Sequence, residues 1–325
     1  MRVVVTGGAG FLGRAIVRTL VERGGAVVAL VRDPERAAHL VGKGVTLVAS
    51  YLSDPAAMET AMRGADVVIH AAGSYRLGIK AAEREAMRDA NVGTTERVLD
   101  AAIAASVPRI VYVSTCGVFG DTKGKVVDET YRRDPADGFL SWYDVTKYRA
   151  HEVAEARIAA GAPIVIVQPS QIYGPDDHFA TGEQLGAAYA GKLAYTIFSS
   201  AGLGWIHVHD LARGIVTASE RGRVGEAYVL SGPRHRLGES MAIAARAGGH
   251  RPPRLSVPTA VVRFLAPFND RLVHLPGMPD NLAETIRATD GVTYWATSAK
   301  AEGELGFTAR SLEQGVRDTF GGETT

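Results

Sequence analysis

The chain opens with the stretch RVVVTGGAGFLGRAIV, residues 2–17. The residues before the glycines are mostly apolar and β-branched, which predicts a strand buried on both faces. Gly7, Gly10 and Gly13 then form a tight turn, and apolar residues recur behind it at helical spacing. Because glycine has no Cβ, a phosphate can approach the backbone N–H groups at the N-terminus of that helix. The spacing is G-x-x-G-x-x-G rather than G-x-G-x-x-G, so the stretch alone allows a dinucleotide-binding turn or a purely structural one.

The composition narrows the class of protein. The chain has 325 residues, a formal net charge of +1 and 46% hydrophobic residues, enough for one large or two modest domains. Its balanced charge gives no reason to expect nucleic acid or an acidic membrane surface as a partner. The single cysteine, Cys116, excludes an intramolecular disulfide and is typical of a reducing compartment. We therefore expect a cytoplasmic protein with a small-molecule substrate, no signal region and no membrane span, and a homodimer remains open.

Strand and helix patterns alternate through the first half of the chain. The predicted elements after the opening strand are strands at 26–31, 45–48, 66–69, 109–113 and 164–167, and helices at 14–23, 55–62, 84–105 and 143–160. Such alternation predicts an α/β fold with a Rossmann-type, doubly wound parallel sheet. After Pro169 the pattern loosens, and strands recur only near 205–208 and 227–230. The predicted domains are a dinucleotide-binding domain, 1–168 with returning segments near 205–231, and a smaller, irregular substrate-binding lobe, 169–204 and 232–325.

The end of the second predicted strand bears on the choice of coenzyme. An acidic residue in this place hydrogen-bonds a free ribose 2′-hydroxyl, and an arginine accommodates a 2′-phosphate. Val31 stands where the acid usually sits, and Arg32 follows it. The sequence therefore favours NADP(H). Asp33 keeps NAD(H) possible, and an Arg32 that is merely exposed to solvent is the alternative.

Hydroxyl and amine side chains follow the fifth predicted strand. Ser114 and Thr115 leave the carboxyl end of that strand, where open α/β sheets bind ligands. About thirty residues later Tyr143 and Lys147 are four residues apart, so they share one face of a helix. A free phenol has a pKa of about 10, and a nearby ammonium and an oxidised nicotinamide would lower that pKa. A tyrosine and a lysine at this spacing are common by chance, but behind a nucleotide-binding turn they predict an acid–base site.

Three other polar residues have structural explanations in the sequence. His70 is expected to be a hydrogen-bonded core histidine. Asn91 interrupts a helical pattern, and we expect it to tie neighbouring strand backbones together in support of the site. His207 and His209 alternate on one strand, but no third ligand is placed nearby, so no metal site is predicted.

Together these motifs resemble the extended branch of the short-chain dehydrogenase/reductase superfamily, the NAD-dependent epimerase/dehydratase family. The matching segments are TGGAGFLG at 6–13, D…HAA at 66–72, NVGT at 91–94, YVST at 112–115, Y…K at 143–147, QPSQIYGP at 168–175, HVHDLA at 207–212 and SAK…ELGF at 298–307. The segments VRDP at 31–34 and HAAGSYRL at 70–77 are most similar to dihydroflavonol-reductase-like and hopanoid-associated members.

The resemblance implies a role for each candidate site residue. Tyr143 is the acid–base, Lys147 binds the nicotinamide ribose and lowers the pKa of Tyr143, and Thr115 polarises the substrate oxygen. Pro169 and Ser170 flank the nicotinamide. The residues expected to bind the cofactor are Gly7, Gly10, Phe11, Leu12, Gly13, Arg32, Leu52, Ala71, Ala72, Gly73, Asn91, Val113, Tyr143, Lys147, Pro169, Ser170 and Ile172. Residues 50–52 read Ser-Tyr-Leu where the family often has Gly-Asp-Leu, so the carboxylate that contacts adenine is missing there. Gln168 stands where an arginine is frequent.

The sequence leaves three hypotheses for the function, two of them enzymes and one a protein without enzymatic activity. Residues 202–206, which include Trp205, are apolar where sugar-nucleotide enzymes usually carry a cation that anchors a diphosphate. The sequence therefore favours an NADP(H)-dependent reductase or alcohol dehydrogenase that acts on a moderately apolar carbonyl or alcohol. A nucleotide-sugar epimerase or dehydratase is the alternative. A regulator that senses NADP(H) without turnover would have no use for the intact catalytic set. The loops expected to shape the pocket are 74–82, 171–195 and 255–278. Their sequences contain no motif that identifies the substrate.

Overall fold

The structure is a computed structural model, and it describes residues 1–42, 44–50, 52–265, 267 and 281–322. Its strands are β1 (Arg2–Thr6), β2 (Ala26–Val31), β3 (Val45–Ala49), β4 (Val67–His70), β5 (Ile110–Val113), β6 (Ile164–Pro169), β7 (Gln171–Tyr173), β8 (Tyr195–Ile197), β9 (Gly202–His207), β10 (Ala227–Leu230), β11 (Arg234–Arg236), β12 (Leu255–Val257) and β13 (Thr293–Tyr294). Its α-helices are α1 (Phe11–Glu22), α2 (Pro55–Met62), α3 (Arg84–Arg88), α4 (Thr94–Ala104), α5 (Trp142–Ala159), α6 (Ala180–Tyr189), α7 (Val208–Arg221), α8 (Leu237–Ala247), α9 (Thr259–Leu265), α10 (Leu282–Thr289), α11 (Ala299–Leu305) and α12 (Leu312–Phe320).

Seven parallel strands form the main sheet, in the order β3-β2-β1-β4-β5-β6-β10. The strand order reverses between β1 and β4, so the loops after these two strands open a crevice at the carboxyl edge of the sheet. In register, Val4 of β1 lies between Val28 of β2 and Val68 of β4. The predicted α/β fold with a doubly wound parallel sheet is confirmed.

Both faces of the main sheet are covered by helices, because successive strand side chains point to opposite faces. Val3 and Val5 belong to one core cluster, together with α1 and α7. Val4 belongs to the cluster on the other face, with α2, α4 and α5. These buried apolar layers fix the strand ends, and therefore the loops at the carboxyl edge. None of the described helices is long and apolar enough to cross a bilayer.

Several element bounds agree closely with the sequence prediction, including β2, α2 and β10. The predicted helix at 84–105 is continuous but contains one π-helical turn, Asp89–Gly93. The strand predicted near 205–208 is β9, which pairs with β7, β11 and β13 in a second sheet. Of the two segments expected to return to the main sheet, β10 does so as a strand and β9 does not. The short strands β7, β8 and β11–β13 were not predicted, because two or three residues are too few to show alternation. The division into 1–168 with its returning segments and a substrate lobe stays a prediction.

Candidate active site

A cavity of about 470 Å³ lies at the carboxyl edge of the main sheet. The loops that follow β1, β4, β5 and β6 meet there. The predicted site residues that line it are Gly7, Gly10, Phe11, Leu12, Gly13, Ala71, Ala72, Gly73, Asn91, Val113, Thr115, Tyr143, Lys147, Pro169, Ser170 and Ile172. The fold therefore brings residues from distant parts of the chain to one place. Arg32 and Leu52 are not among the lining residues.

The glycine turn brings two backbones close together. Gly7 has φ of +74°, and a Cβ on it would lie 2.8 Å from the backbone of Ala72 in the loop after β4. A Cβ on Gly13 would overlap the carbonyl oxygen of Gly7. Gly10 is the N-cap of α1, where no side chain caps the helix. The first N–H groups of α1 therefore have no side-chain acceptor, and they lie beside the cavity, where they can receive an anion.

Thr115 and Tyr143 meet at the floor of the cavity. Thr115 is the N-cap of a short 3₁₀ turn, and its Oγ1 accepts the N–H of Gly117 at 3.0 Å. Tyr143 lies in the first turn of α5, whose N-cap Ser141 accepts the N–H of Asp144 at 3.1 Å. The Thr115 hydroxyl lies near enough to the Tyr143 phenol to lower the pKa of that phenol. The two hydroxyls can therefore act on one substrate oxygen.

Lys147 lies one turn along α5 from Tyr143, and it is buried. Its Nζ donates to the carbonyl oxygen of Val113 at 3.2 Å and lies 3.5 Å from the Tyr112 hydroxyl. Burial lowers the pKa of the Lys147 ammonium to about 8. The carbonyl at the end of β5 thus holds the amine at the cavity.

Burial also affects the ionisation of the Tyr143 phenol. It raises the pKa of Tyr143, the neighbouring Tyr75 raises that pKa further, and the hydrogen bond with Thr115 lowers it. Lys147 is not among the groups that lower the pKa of Tyr143 in this structure. The lowering of the Tyr143 pKa by lysine and nicotinamide stays a prediction for the enzyme with cofactor bound.

His70 and Asn91 support the site from behind. The His70 ring lies between the hydroxyls of Thr6, at 2.8 Å, and Thr95, at 3.1 Å, and burial lowers its pKa to about 3. It is a core histidine, as predicted. Asn91 accepts the N–H of Ser74 at 2.7 Å and donates to the Ser74 carbonyl at 3.0 Å.

Asn91 also donates to the Thr146 hydroxyl at 2.9 Å. The expectation that it ties two strand backbones together was therefore wrong. Asn91 joins the loop after β4 to α5, because the π-helical turn aims its amide between these two elements.

The residues at the end of β2 lie outside the cavity but near the glycine turn, since Ala9 packs against the cluster that contains Val31. Arg32 is exposed, and it makes no hydrogen bond or ion pair with the described residues. The Asp33 carboxylate accepts the N–H of Arg36 at 3.1 Å, and it also pairs with the Arg36 guanidinium at 3.4 Å. Asp33 is thus already engaged in its own turn.

Several lining residues were not found from the sequence. Tyr75, Phe179 and Tyr294 lie on loops or at a strand end, where no periodicity marks them. Of the apolar segment 202–206, Leu203 and Gly204 form part of the wall, whereas Trp205 is fully buried behind the cavity. Loops 74–82 and 171–195 contribute lining residues, but the described residues of 255–278 contribute none. Residues 266 and 268–278 lie outside the described residues.

The two histidines of β9 and α7 have protein partners. His207 accepts the N–H of His209 at 3.3 Å and lies 3.3 Å from the Thr319 hydroxyl. Burial lowers the pKa of His207 to about 3. In the described ranges no three His, Cys, Asp or Glu side chains come together in an arrangement that could hold a metal.

Comparison with known proteins assigns the chain to a family. The profile of the NAD-dependent epimerase/dehydratase family matches residues 3–231. The chain belongs to this family. A Synechocystis protein provisionally named dihydroflavonol 4-reductase is 32% identical over 324 residues, which cover 97% of this chain and 92% of the relative.

Two further similarities, one to a curated relative and one to a solved structure, agree with this assignment. A Stigmatella aurantiaca 4-hydroxy-2-methyl-3-oxo-4-farnesyl-3,4-dihydroquinoline-1-oxide ketoreductase is 34% identical over 232 residues, 71% of this chain and 68% of the relative. The crystal structure of gox2253 is 30% identical, with a TM-score of 0.82 over 98% of this chain and 96% of that one. The chain is therefore an NAD(P)-dependent oxidoreductase of the extended short-chain dehydrogenase/reductase type.

The residues present fit a nicotinamide dinucleotide. The uncapped start of α1 and the glycine turn Gly7–Gly13 can accept the pyrophosphate, because the first N–H groups of the helix lie beside the cavity and the glycines have no Cβ in the way. Lys147, whose Nζ lies at the cavity, would hold the nicotinamide ribose. Ser170 lines the cavity with a buried Oγ that has no partner in the described structure, so it has a hydroxyl to offer to the nicotinamide end.

Proposed function

We propose that the chain is an NADP(H)-dependent oxidoreductase that interconverts a carbonyl and an alcohol on a moderately apolar small molecule. The observation that carries the proposal is the meeting of Thr115, Tyr143 and Lys147 in a cavity whose other walls are largely apolar. Lys147 is the only Lys or Arg among its described lining residues, and its Nζ already donates to the Val113 carbonyl. Such a cavity provides acid–base chemistry and no binding site for a second diphosphate.

Each residue has a task in carbonyl reduction. Thr115 donates a hydrogen bond to the carbonyl oxygen, and this stabilises the negative charge that develops there. Tyr143 donates its proton to the same oxygen, which becomes the alcohol hydroxyl. Lys147 holds the ribose and, as an ammonium, favours the phenolate left on Tyr143. The bound cofactor supplies the hydride that the carbonyl carbon receives. Asn91 keeps the loop after β4 against α5, so the site keeps its shape.

The preference for NADP(H) rests on Arg32. Its guanidinium is free to meet a 2′-phosphate, whereas Val31 offers no acceptor for a 2′-hydroxyl. Asp33 holds Arg36, and Arg14 pairs with Asp176 at 3.3 Å. Of the arginines Arg14, Arg32 and Arg36, Arg32 is thus the one that has no carboxylate partner among the described residues.

A nucleotide-sugar epimerase or dehydratase is the second candidate, because the family includes such enzymes. The relatives named as reductases favour the first. In an epimerase the cofactor is reduced and reoxidised within one cycle, whereas a reductase consumes it. A regulator without turnover is the third candidate, and the intact catalytic set speaks against it.

The test is a panel of apolar ketones and aldehydes incubated with NADPH and enzyme, with NADPH absorbance and product formation measured together. We expect one NADPH to be consumed for each alcohol formed. Conversion of UDP-glucose with no net change in NADPH would establish the epimerase reading instead. Absence of turnover in both assays would favour the regulator.

A further inference from the structure

Four aromatic rings form a continuous cluster along one wall of the cavity. Phe11 comes from the glycine turn, Tyr75 from the loop after β4, Phe179 from the segment before α6, and Tyr143 from α5. The Tyr75 ring lies 4.8 Å from the Tyr143 ring and 5.3 Å from the Phe179 ring, centroid to centroid. Phe179 lies 6.4 Å from Phe11. The cluster therefore connects the cofactor turn to the catalytic phenol.

The backbones that carry the two loop rings are anchored by hydrogen bonds. Asn91 binds both the N–H and the carbonyl of Ser74, the residue before Tyr75. The Asp177 carboxylate accepts the N–H of Phe179 at 2.9 Å. Both anchors act on the backbone, and the His178 ring packs against Phe179 at 4.5 Å, so a ligand can reach the parts of these rings that line the cavity.

The rings meet edge to face, at interplanar angles of 87° for Tyr75 with Tyr143 and 81° for Tyr75 with Phe179. Burial and the nearby Asp177 carboxylate raise the pKa of the Tyr75 phenol to about 12, so the ring is neutral at working pH. A flat conjugated group can stack on such rings or meet their edges, whereas a puckered saturated ring of equal size has no π-face to offer. A polyhydroxylated ring would lose water from its hydroxyls without gaining acceptors from this wall.

We propose that Tyr75 and Phe179 are specificity-determining residues that select a flat, conjugated group attached to the reacting carbonyl. The inference rests on the proposed function, because it places the reacting carbonyl at Tyr143. It adds that the group next to the carbonyl is recognised by its flatness, and it assigns this recognition to two loops that have no catalytic group of their own.

Binding to the enzyme saturated with NADP⁺ tests this inference without turnover, since an oxidised cofactor cannot reduce a ketone. The probes are methyl 2-naphthyl ketone and its saturated decahydronaphthyl analogue, titrated by calorimetry. We expect wild type to bind the flat ketone about tenfold more tightly, and Tyr75→Leu and Phe179→Leu each to lower this preference by roughly two- to tenfold, the range for one aromatic pair. Tyr75→Phe should keep the preference, because the ring remains.

The matched control is Tyr131→Leu, which removes a ring that packs against Phe119 at 6.0 Å outside this cavity. It should leave the preference unchanged. Retained NADP⁺ affinity shows that each variant is folded. Equal affinities for both ketones in wild type, no binding of either, or an unchanged preference in both leucine variants would overturn the inference. A failure of the proposed function would be seen in the NADPH-consumption assay, whereas a failure of this inference would be seen in the binding titrations, so the two outcomes can be distinguished.

Discussion

Replacing Lys147 with methionine should stabilise the cofactor-free protein while removing the group that we propose to hold the ribose. Methionine has a similar length and no charge to desolvate. The ammonium of Lys147 is buried, and burial lowers its pKa from 10.5 to about 8. The folded protein therefore carries an unfavourable buried charge at neutral pH, which the unfolded chain does not.

The magnitude follows from that difference. At 1.36 kcal/mol for each pH unit, a fall from 10.5 to about 8 corresponds to about 3 kcal/mol of lost stability at neutral pH. The variant also loses the bond to the Val113 carbonyl and the contact with the Tyr112 hydroxyl, which lowers its stability by about 1–2 kcal/mol. We expect a net gain of about 1–2 kcal/mol in the free energy of unfolding, or on the order of 2 °C in Tm.

The pH dependence of stability has the opposite sign to that of a lysine in an ion pair, because the pKa of Lys147 is lowered rather than raised in the folded protein. Below about pH 8 both states bind the proton, so the wild type carries the full penalty. Between about pH 8 and 10.5 the unfolded chain keeps the proton and the folded protein releases it, so wild-type stability rises with pH. The advantage of Lys147→Met should therefore shrink over this window.

Urea unfolding of wild type and Lys147→Met at pH 7 and pH 9.5 measures the difference in their free energies of unfolding. Lys192→Met, which replaces an exposed lysine, is the control. A variant less stable than wild type at pH 7, or an advantage that does not change with pH, would refute the reasoning.

Three further predictions concern the cofactor and the pocket. Wild type should prefer NADPH over NADH by roughly one to two decades in kcat/KM, because charge-assisted hydrogen bonds contribute about 1.5–3 kcal/mol each. The double variant Val31→Asp with Arg32→Ala should reverse this preference. Comparable kcat/KM values for NADH and NADPH in wild type would show that Arg32 is only a surface residue. UDP should bind weakly or not at all, and low-micromolar binding by calorimetry would contradict the reductase proposal. Gly13→Ala should weaken NADPH binding at least tenfold, because its Cβ would overlap the Gly7 carbonyl, whereas Gly42→Ala, which adds a Cβ in open space, should leave it unchanged.

The main sheet was predictable because its signal is local and strong. Runs such as Val3–Val5 are buried on both faces, so every residue in them is apolar, and the glycine turn marks the first crossover. The second sheet was not predictable. Strands such as β11 and β13 have two or three residues, and their pairing with β9 is decided by tertiary contacts rather than by pattern.

At the site, the residues with a chemical reason in the sequence came together as expected. Thr115, Tyr143 and Lys147 line one cavity because a strand end and a helix face converge there. Tyr75 and Phe179 could not be found in advance, since they lie in loops and their contact depends on backbone anchors, the Asn91 amide and the Asp177 carboxylate. The apolar character of residues 202–206 was evident in advance, but which of them reach the cavity was not: Leu203 and Gly204 line it, whereas Trp205 lies in the core.

The central claim is that Tyr143 donates the proton in carbonyl reduction, and turnover of Tyr143→Phe with NADPH and the best ketone of the panel tests it most directly. The substitution keeps the buried ring and its contact with Tyr75, and it removes only the hydroxyl. We predict a loss of at least two decades in kcat, in the range of a positioned acid–base, with NADPH affinity near that of wild type. A variant that keeps more than about a tenth of wild-type turnover would contradict the account, because another group would then supply the proton.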